Sequence, residues 1–269
     1  MDKTRRLERL VVLTKRLTEH PSRLFSLGEF AEEFGCAKST LSEDISMLRD
    51  TLEAQGMGNL ETLAGAAGGV RYLPFRSEVA VQAGLAEFAG LFCRPDRIIP
   101  GGFLYMSDVL FSPELMVKAG ELFFQRFASL APDFILTVET KGIPLALMTA
   151  RAFNIPLAMA RQGSKVTEGS AVSINFLTGS ARRIQTMSMS RRALPSGAKV
   201  LVIDDFMKAG GTARGLVDLA AEVGAKVLGT GVLIATAQPE KKLVEDYTAL
   251  LVLHKIDETL KQVDVRPAG

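Results

Sequence analysis

The sequence is poor in the residues that build disulfide frameworks and histidine-based catalytic sites. It holds two cysteines, two histidines and no tryptophan in 269 residues. Cys36 and Cys93 are too few and too isolated for a disulfide framework or a zinc site, so we expect packed thiols. His20 and His254 lie outside every motif described below, which leaves His-based nucleophilic catalysis without support.

Long apolar runs are also lacking. No stretch approaches the roughly eighteen apolar residues of a membrane helix, and the amino terminus is charged where a signal peptide would be apolar. These absences predict a cytoplasmic protein with no membrane partner. A hydrophobic content of 47% over 269 residues can supply real cores, so we expect two domains or one large one.

Acidic residues are scarce in two segments, although the net charge of the chain is only +2. Residues 1–23 carry seven basic and three acidic side chains, and residues 161–203 carry seven basic side chains and one acid. Both segments therefore suit anionic partners. Any one of these basic residues is more simply explained as a solvated surface residue. That explanation is less satisfactory for a run of about forty residues that contains a single acid.

The most informative stretch is residues 199–215, KVLVIDDFMKAGGTARG. Apolar residues 200–203, without alternation, predict a buried parallel strand whose carboxyl end carries Asp204 and Asp205. Ligands bind at that end in open α/β sheets, where adjacent carboxylates can accept hydrogen bonds from the two cis hydroxyls of a ribose. The loop that follows, AGGT at 209–212, can present N–H groups to a phosphate at the start of a helix.

This stretch resembles the phosphoribosyl pyrophosphate (PRPP) motif of type I phosphoribosyltransferases, whereas the P-loop and dinucleotide fingerprints are both missing. Residues 139–144, ETKGIP, between a strand and a helix, resemble the pyrophosphate loop of that family, and residues 161–170 resemble its hairpin that closes over PRPP. An ordinary strand-to-helix turn is the alternative for residues 199–215 and for residues 139–144. The resemblance implies these PRPP-binding residues: Asp204, Asp205, Phe206, Met207, Lys208, Ala209, Gly210, Gly211, Thr212, Thr140, Lys141, Gly142, Arg161 and Lys165.

The amino-terminal region predicts three helices and a hairpin. Helices are expected over 3–19, 27–34 and from Lys38 or Ser39 onward, and residues 59–73 predict two strands around a glycine-rich tip. This order is typical of a winged helix-turn-helix, with a generic three-helix bundle as the alternative. The apolar face of the first helix is predicted to hold Leu7, Leu10, Val11, Thr14, Leu17 and Thr18. The candidate DNA contacts are Arg5, Arg6, Lys38, Ser39, Thr40, Ser42 and Arg71.

After Pro74 the pattern changes to alternating helices and strands. We therefore predict a winged-helix DNA-binding domain over 1–74 and a PRPP-sensing domain over 75–269. The expected fold class of the second domain is α/β, a type I phosphoribosyltransferase fold with a mainly parallel central sheet.

Over nearly its full length the chain resembles the purine operon repressor family of Gram-positive bacteria. The resemblance rests on the domain order and on CAKST at 36–40, GAAGGVRY at 65–72, RIIPGG at 97–102, TKGIPLA at 140–146, KVTEGSAVSIN at 165–175, RIQTMS at 183–188 and IDDFMKAGGT at 203–212. It implies a homodimeric repressor of purine synthesis and transport genes that binds double-stranded operator DNA.

The same resemblance implies that PRPP, or a competing purine nucleotide, is sensed rather than consumed, with Mg²⁺ accompanying PRPP if a metal is needed and no cofactor required. The sequence offers no catalytic residue and no acid or base for a nucleobase. A working purine phosphoribosyltransferase with an accessory amino-terminal domain is the alternative.

Overall fold

The computed structural model describes residues 3–65, 67–163, 169–177 and 184–269. The chain divides into two compact units, residues 1–80 with 151–154, and residues 81–150 with 155–269. Within the described ranges, no helix is long and apolar enough to cross a membrane.

The first unit contains three helices and a two-stranded hairpin, as the sequence predicts. Its elements are α1 Lys3–Glu19, α2 Leu27–Phe34, α3 Lys38–Ala54, β1 Asn59–Leu63 and β2 Gly69–Leu73. Ser26 caps α2, because its Oγ accepts a hydrogen bond from the N–H of Gly28 at 3.1 Å. Gly35 ends α2 at φ +58°, a left-handed conformation that glycine adopts without steric cost. The hairpin is antiparallel, and its tip at residue 66 lies outside the described residues.

The predicted apolar face of α1 was wrong at two positions. Leu7 and Val11 are 63% and 62% exposed, whereas Leu13 and Leu17 are buried in the core. Asp44 of α3 is buried beside this face of α1, and a buried carboxylate is stable only with a partner. Arg9 turns inward to supply one, donating from Nε at 3.0 Å and from Nη2 at 2.8 Å to Asp44 Oδ2.

The remaining helices and strands alternate along the chain. They are α4 Glu78–Phe92, β3 Ile98–Ile99, β4 Phe103–Leu104, α5 Ser107–Leu110, α6 Pro113–Phe127, β5 Phe134–Val138, α7 Ile143–Phe153, β6 Leu157–Gln162, β7 Ala171–Leu177, β8 Ile184–Ser190, β9 Lys199–Met207, α8 Gly211–Glu222, β10 Lys226–Thr236, β11 Tyr247–Asp257 and β12 Gln262–Pro267.

Eight of these strands form one sheet in the order β12-β11-β10-β9-β5-β6-β8-β7. The five central strands, β11 to β6, are parallel, and β12, β8 and β7 are added antiparallel. The mainly parallel sheet predicted from the sequence is therefore confirmed. The hairpin of β3 and β4 was missed, since two-residue strands carry no hydrophobic period.

Candidate functional site

Two loops meet at the carboxyl edge of the parallel strands. Strands β5 and β9 are in register with Leu136 opposite Val202, so the end of β5 at Val138 lies level with Asp204, which β9 carries three residues before its own end at Met207. A Cβ on Gly142, in the loop after β5, would lie 2.8 Å from Asp204 Oδ1 and 2.8 Å from Thr137 Oγ1. Only glycine allows the loop after β5 to approach Asp204 so closely.

The two adjacent carboxylates occupy different environments. Asp204 is 5% exposed, and its Oδ1 accepts a hydrogen bond from the N–H of Asp205 at 2.9 Å. Burial, and then the negative charge of Asp205, raise the pKa of Asp204 well above its usual value. Asp205 is half-buried. The pair therefore offers one accessible carboxylate and one buried carboxyl to a ligand at this edge.

A cleft of about 390 Å³ lies beside the carboxylates. Asp204, residues 206–213 and Phe103 line it. Gly210 has φ +83°, and α8 begins at the next residue, so the helix amino terminus borders the cleft. Backbone N–H groups at such a terminus favour an anion. The structure thus brings the predicted glycine loop and Asp204 to one cavity.

Phe103 is a cleft residue that the sequence reasoning missed. It is 67% exposed and begins β4. The short hairpin that carries it is held by Arg97, whose guanidinium binds both carboxylate oxygens of Asp108 at 2.7 and 2.9 Å and the carbonyl of Tyr105 at 3.1 Å. Hydrogen bonding from Arg97 lowers the pKa of Asp108. A bulky aromatic directly after Gly101 and Gly102 was the available sequence signal.

The other predicted effector residues lie on the loop after β5 and at the end of β6. Thr140 and Lys141 are exposed, in the same loop as Gly142. Arg161 Nη1 lies 3.7 Å from Glu139 Oε2, and Glu139 Oε1 accepts a hydrogen bond from the N–H of Gln162 at 3.0 Å. Glu139, which the sequence reasoning did not single out, therefore joins the end of β6 to this loop. Residues 164–168 of the predicted closing hairpin, Lys165 among them, lie outside the described residues.

The candidate DNA contacts fall into two groups. Lys38, Ser39 and Ser42 are exposed on the first turns of α3, and Thr40 is half-buried beside them. The three arginines predicted to contact DNA differ in their intramolecular partners. Arg5 is exposed, Arg6 donates from Nε to Asp44 Oδ1 at 2.9 Å, and Arg71 pairs with Glu61 across the hairpin at 2.5 Å. Arg6 and Arg71 are thus partly neutralised by intramolecular carboxylates.

No cluster of three His, Cys, Asp or Glu side chains suited to a metal ion occurs in the part of the chain that the structure describes.

Family models match both parts of the chain. Residues 5–74 match the amino-terminal domain of bacterial purine repressors, and residues 107–267 match the phosphoribosyl transferase domain. The purine biosynthesis transcriptional repressor PurR of Bacillus subtilis (strain 168) is 44% identical over 264 residues, which cover 98% of this chain and 93% of the relative. The purine biosynthesis transcriptional activator PurR of Lactococcus lactis subsp. lactis (strain IL1403) is 35% identical and covers 97% of each chain.

A solved structure shows the same fold for the second unit. The adenine phosphoribosyltransferase from Giardia lamblia, solved with 9-deazaadenine, superposes with a TM-score of 0.55 at 19% identity, over 64% of this chain and 98% of that one. At such low identity the likeness establishes the fold alone, and function follows from the full-length relatives. The chain belongs to the bacterial purine repressor family, and its role is that of a transcriptional regulator of purine biosynthesis rather than of an enzyme.

Proposed function

We propose that the chain represses genes of purine synthesis and transport by binding operator DNA as a homodimer, and that PRPP in the cleft releases it. The observation that carries this proposal is the cleft of about 390 Å³, where Asp204 and the amino terminus of α8 border one cavity. A regulator with such a cavity can couple a small anionic ligand to its DNA affinity. PRPP and the chromosome are both found in the cytoplasm, where we expect this protein to act.

Each part of PRPP has a chemical partner among the residues at this edge. The two ribose hydroxyls donate to Asp204 and Asp205, which are acceptors when ionised. The 5-phosphate accepts hydrogen bonds from N–H groups of residues 209–212, at the positive end of α8. The diphosphate then lies toward residues 140–142, with Arg161 and Lys165 as counter-charges and Mg²⁺ accompanying it. A purine nucleotide that carries the same ribose and phosphate groups would compete for this site.

Regulation is favoured over catalysis by what the cleft presents to a nucleobase. Apart from residues 204–213, the lining of the cleft includes the exposed phenyl ring of Phe103, which neither donates nor accepts a proton. The fold shared with phosphoribosyltransferases favours a residual purine phosphoribosyltransferase activity beside regulation as the second candidate. Pyrophosphate release from PRPP in the presence of adenine, guanine, hypoxanthine or xanthine would reveal that activity.

Release from DNA is proposed to follow from competition for basic residues. Residues 161–203 carry seven bases and one acid, and the segment includes Arg161 at the effector side. Arg191 and Arg192 are exposed, whereas Arg182 and Arg183 lie outside the described residues. DNA laid along this segment gains phosphate contacts, and PRPP withdraws Arg161 and Lys165 from them. Reorientation of the winged helices is the alternative route.

The test begins with selection of a preferred duplex from a random pool, because the operator sequence is unknown. Band-shift titrations on that duplex, with and without PRPP and Mg²⁺, then measure release directly. We expect PRPP to lower DNA affinity at least tenfold in the wild type and to have no such effect on Asp205→Ala. Losing a charge-assisted hydrogen bond costs about 1.5 to 3 kcal/mol, or roughly ten- to a hundredfold in ligand affinity.

Three outcomes contradict parts of the proposal. Unchanged DNA affinity in saturating PRPP would remove PRPP as the effector, and a PRPP-induced increase would mean that PRPP strengthens DNA binding instead of releasing the protein. If the quadruple change of Arg182, Arg183, Arg191 and Arg192 to Gln leaves both the operator affinity and its salt dependence intact in a dimeric protein, the second DNA surface does not exist.

A further inference from the structure

A buried lysine lies directly behind the glycine loop, outside the candidate site described above. Lys242 is 6% exposed. Its ammonium group donates to the carbonyl of Lys208 at 2.5 Å, to the carbonyl of Thr236 at 2.7 Å and to Thr236 Oγ1 at 3.2 Å. All three donors of the ammonium group are therefore matched with acceptors, one of which belongs to the loop that borders the cleft.

A second carbonyl of the glycine loop is held from the same side. The N–H of Leu243 donates to the carbonyl of Ala209 at 2.9 Å, and Thr236 Oγ1 lies 3.2 Å from the carbonyl of Lys208. A Cβ on Gly210 would be 3.2 Å from the N of Leu243 and 3.5 Å from the N of Val244. We call residues 236–244 the supporting segment, because it packs against the back of the loop.

These carbonyl contacts fix the direction of the N–H groups on the loop. The Lys208–Ala209 and Ala209–Gly210 peptide bonds are trans, and in a planar trans peptide the N–H points opposite to the C=O. Since both carbonyls face the supporting segment, the N–H groups of Ala209 and Gly210 face the other way. Both residues line the cleft, so these are N–H groups available to an anion there.

No carboxylate among the described residues pairs with the ammonium group of Lys242. Over the described ranges of the chain, none of its contacts is an acid, and burial lowers the pKa of its ammonium group. A buried ammonium whose partners are carbonyl and hydroxyl oxygens leaves its positive potential in place next to the loop. An anionic phosphate on the far side of the Lys208 peptide unit would feel that potential.

We propose that Lys242 is a positioning residue for the phosphate of the effector: it holds the Lys208 carbonyl so that the N–H groups of the glycine loop face the cleft, and it supplies positive charge behind them. This inference rests on the proposed function, in which a sugar phosphate binds at residues 209–212. The adjacent Lys241 is exposed and provides a matched control at the next position.

The experiment compares Lys242→Met, Lys242→Arg, Lys241→Met and the wild type by isothermal titration with three probes: PRPP, ribose 5-phosphate and inorganic pyrophosphate. For Lys242→Met we expect ribose 5-phosphate and PRPP to bind roughly tenfold or more weakly, because a charge-assisted contact and an ordered loop are both lost. Pyrophosphate, assigned to the loop after β5, should bind as in the wild type. Lys242→Arg should restore most of the affinity, and Lys241→Met should change none of the three.

The outcomes separate the role of Lys242 from the proposed function. If the wild type binds none of the three probes, the proposed function fails and the inference falls with it. If the wild type binds them and Lys242→Met binds ribose 5-phosphate equally well, only the inference fails. Equal losses for ribose 5-phosphate and pyrophosphate would mean a general structural defect and would also overturn it. Should Lys242→Met not fold, Thr236→Val, which removes the hydroxyl bonded to the same carbonyl, is subject to the same comparison.

Discussion

Replacing Gly142 with alanine should separate effector binding from DNA binding. The added Cβ would lie 2.8 Å from both Asp204 Oδ1 and Thr137 Oγ1, closer than ordinary van der Waals contact by roughly half an ångström. Neither neighbour can move away easily, because both side chains are short and buried. Either the loop after β5 or the carboxyl of Asp204 must shift, and both belong to the proposed PRPP site.

The expected magnitude follows from the cost of overpacking, which is about 1 to 3 kcal/mol. The free protein can relieve this strain by moving the loop outward. PRPP requires the close arrangement, so binding restores the strain and should weaken by roughly five- to a hundred-and-fiftyfold. DNA affinity without PRPP should stay at the wild-type value, because residue 142 is not among the proposed DNA contacts.

Calorimetric titration with PRPP and Mg²⁺, together with band shifts on the selected duplex, measures both effects. Gly90→Ala is the matched control, since a Cβ there meets no atom within 4 Å and the residue lies within α4. That control should bind PRPP normally and gain about 0.5 to 1 kcal/mol of stability. An unchanged PRPP affinity in Gly142→Ala would refute the requirement for close contact between this loop and Asp204.

Three further predictions concern the buried charges and the DNA contacts. Burial raises the pKa of Asp204, so the folded protein keeps the carboxyl of Asp204 protonated to a higher pH than the unfolded chain does. The stability that the protonated carboxyl contributes is present at low pH and is lost as pH rises through the raised pKa. Asp204→Asn should therefore unfold at a higher temperature than the wild type near neutral pH, with the difference shrinking toward about pH 4, and thermal scans showing a pH-independent difference would contradict this. Asp44→Ala leaves Arg9 buried without its carboxylate and should cost about 3 to 5 kcal/mol of unfolding free energy in calorimetry. Glu61→Ala, which breaks a half-buried pair on the hairpin, should cost about 1 kcal/mol at most. Arg5→Ala should reduce the slope of the logarithm of the DNA-binding constant against the logarithm of salt concentration by about 0.9 on every duplex. A wild-type slope for this variant would exclude a phosphate contact of Arg5. Lys38→Ala should instead alter the sequence preference found by repeated selection.

Local patterns were sufficient for the elements that carry the site. The apolar run before Asp204 and the glycines after it specify a buried strand, a tight turn and a helix start within a few residues. The same holds for α2, where Ser26 and Gly35 mark both ends through contacts within one or two turns of helix. Such signals depend on neighbouring residues only, so the sequence alone determined the existence and the type of these elements.

Tertiary structure decided which side chains these elements bring together. Arg9 of α1 pairs with Asp44, which is 35 residues away along the chain, and the amphipathic pattern of α1 contains no information about that carboxylate. Lys242 reaches the glycine loop from 34 residues away, and Phe103 reaches the cleft from a two-stranded hairpin too short to have a period. Composition and periodicity therefore determined the two-part organisation and the glycine loop at the start of α8. The close approach of Gly142 to Asp204, the buried lysine behind the loop and the inward turn of Arg9 depend on how distant segments pack, because each is a contact between groups that the linear sequence separates.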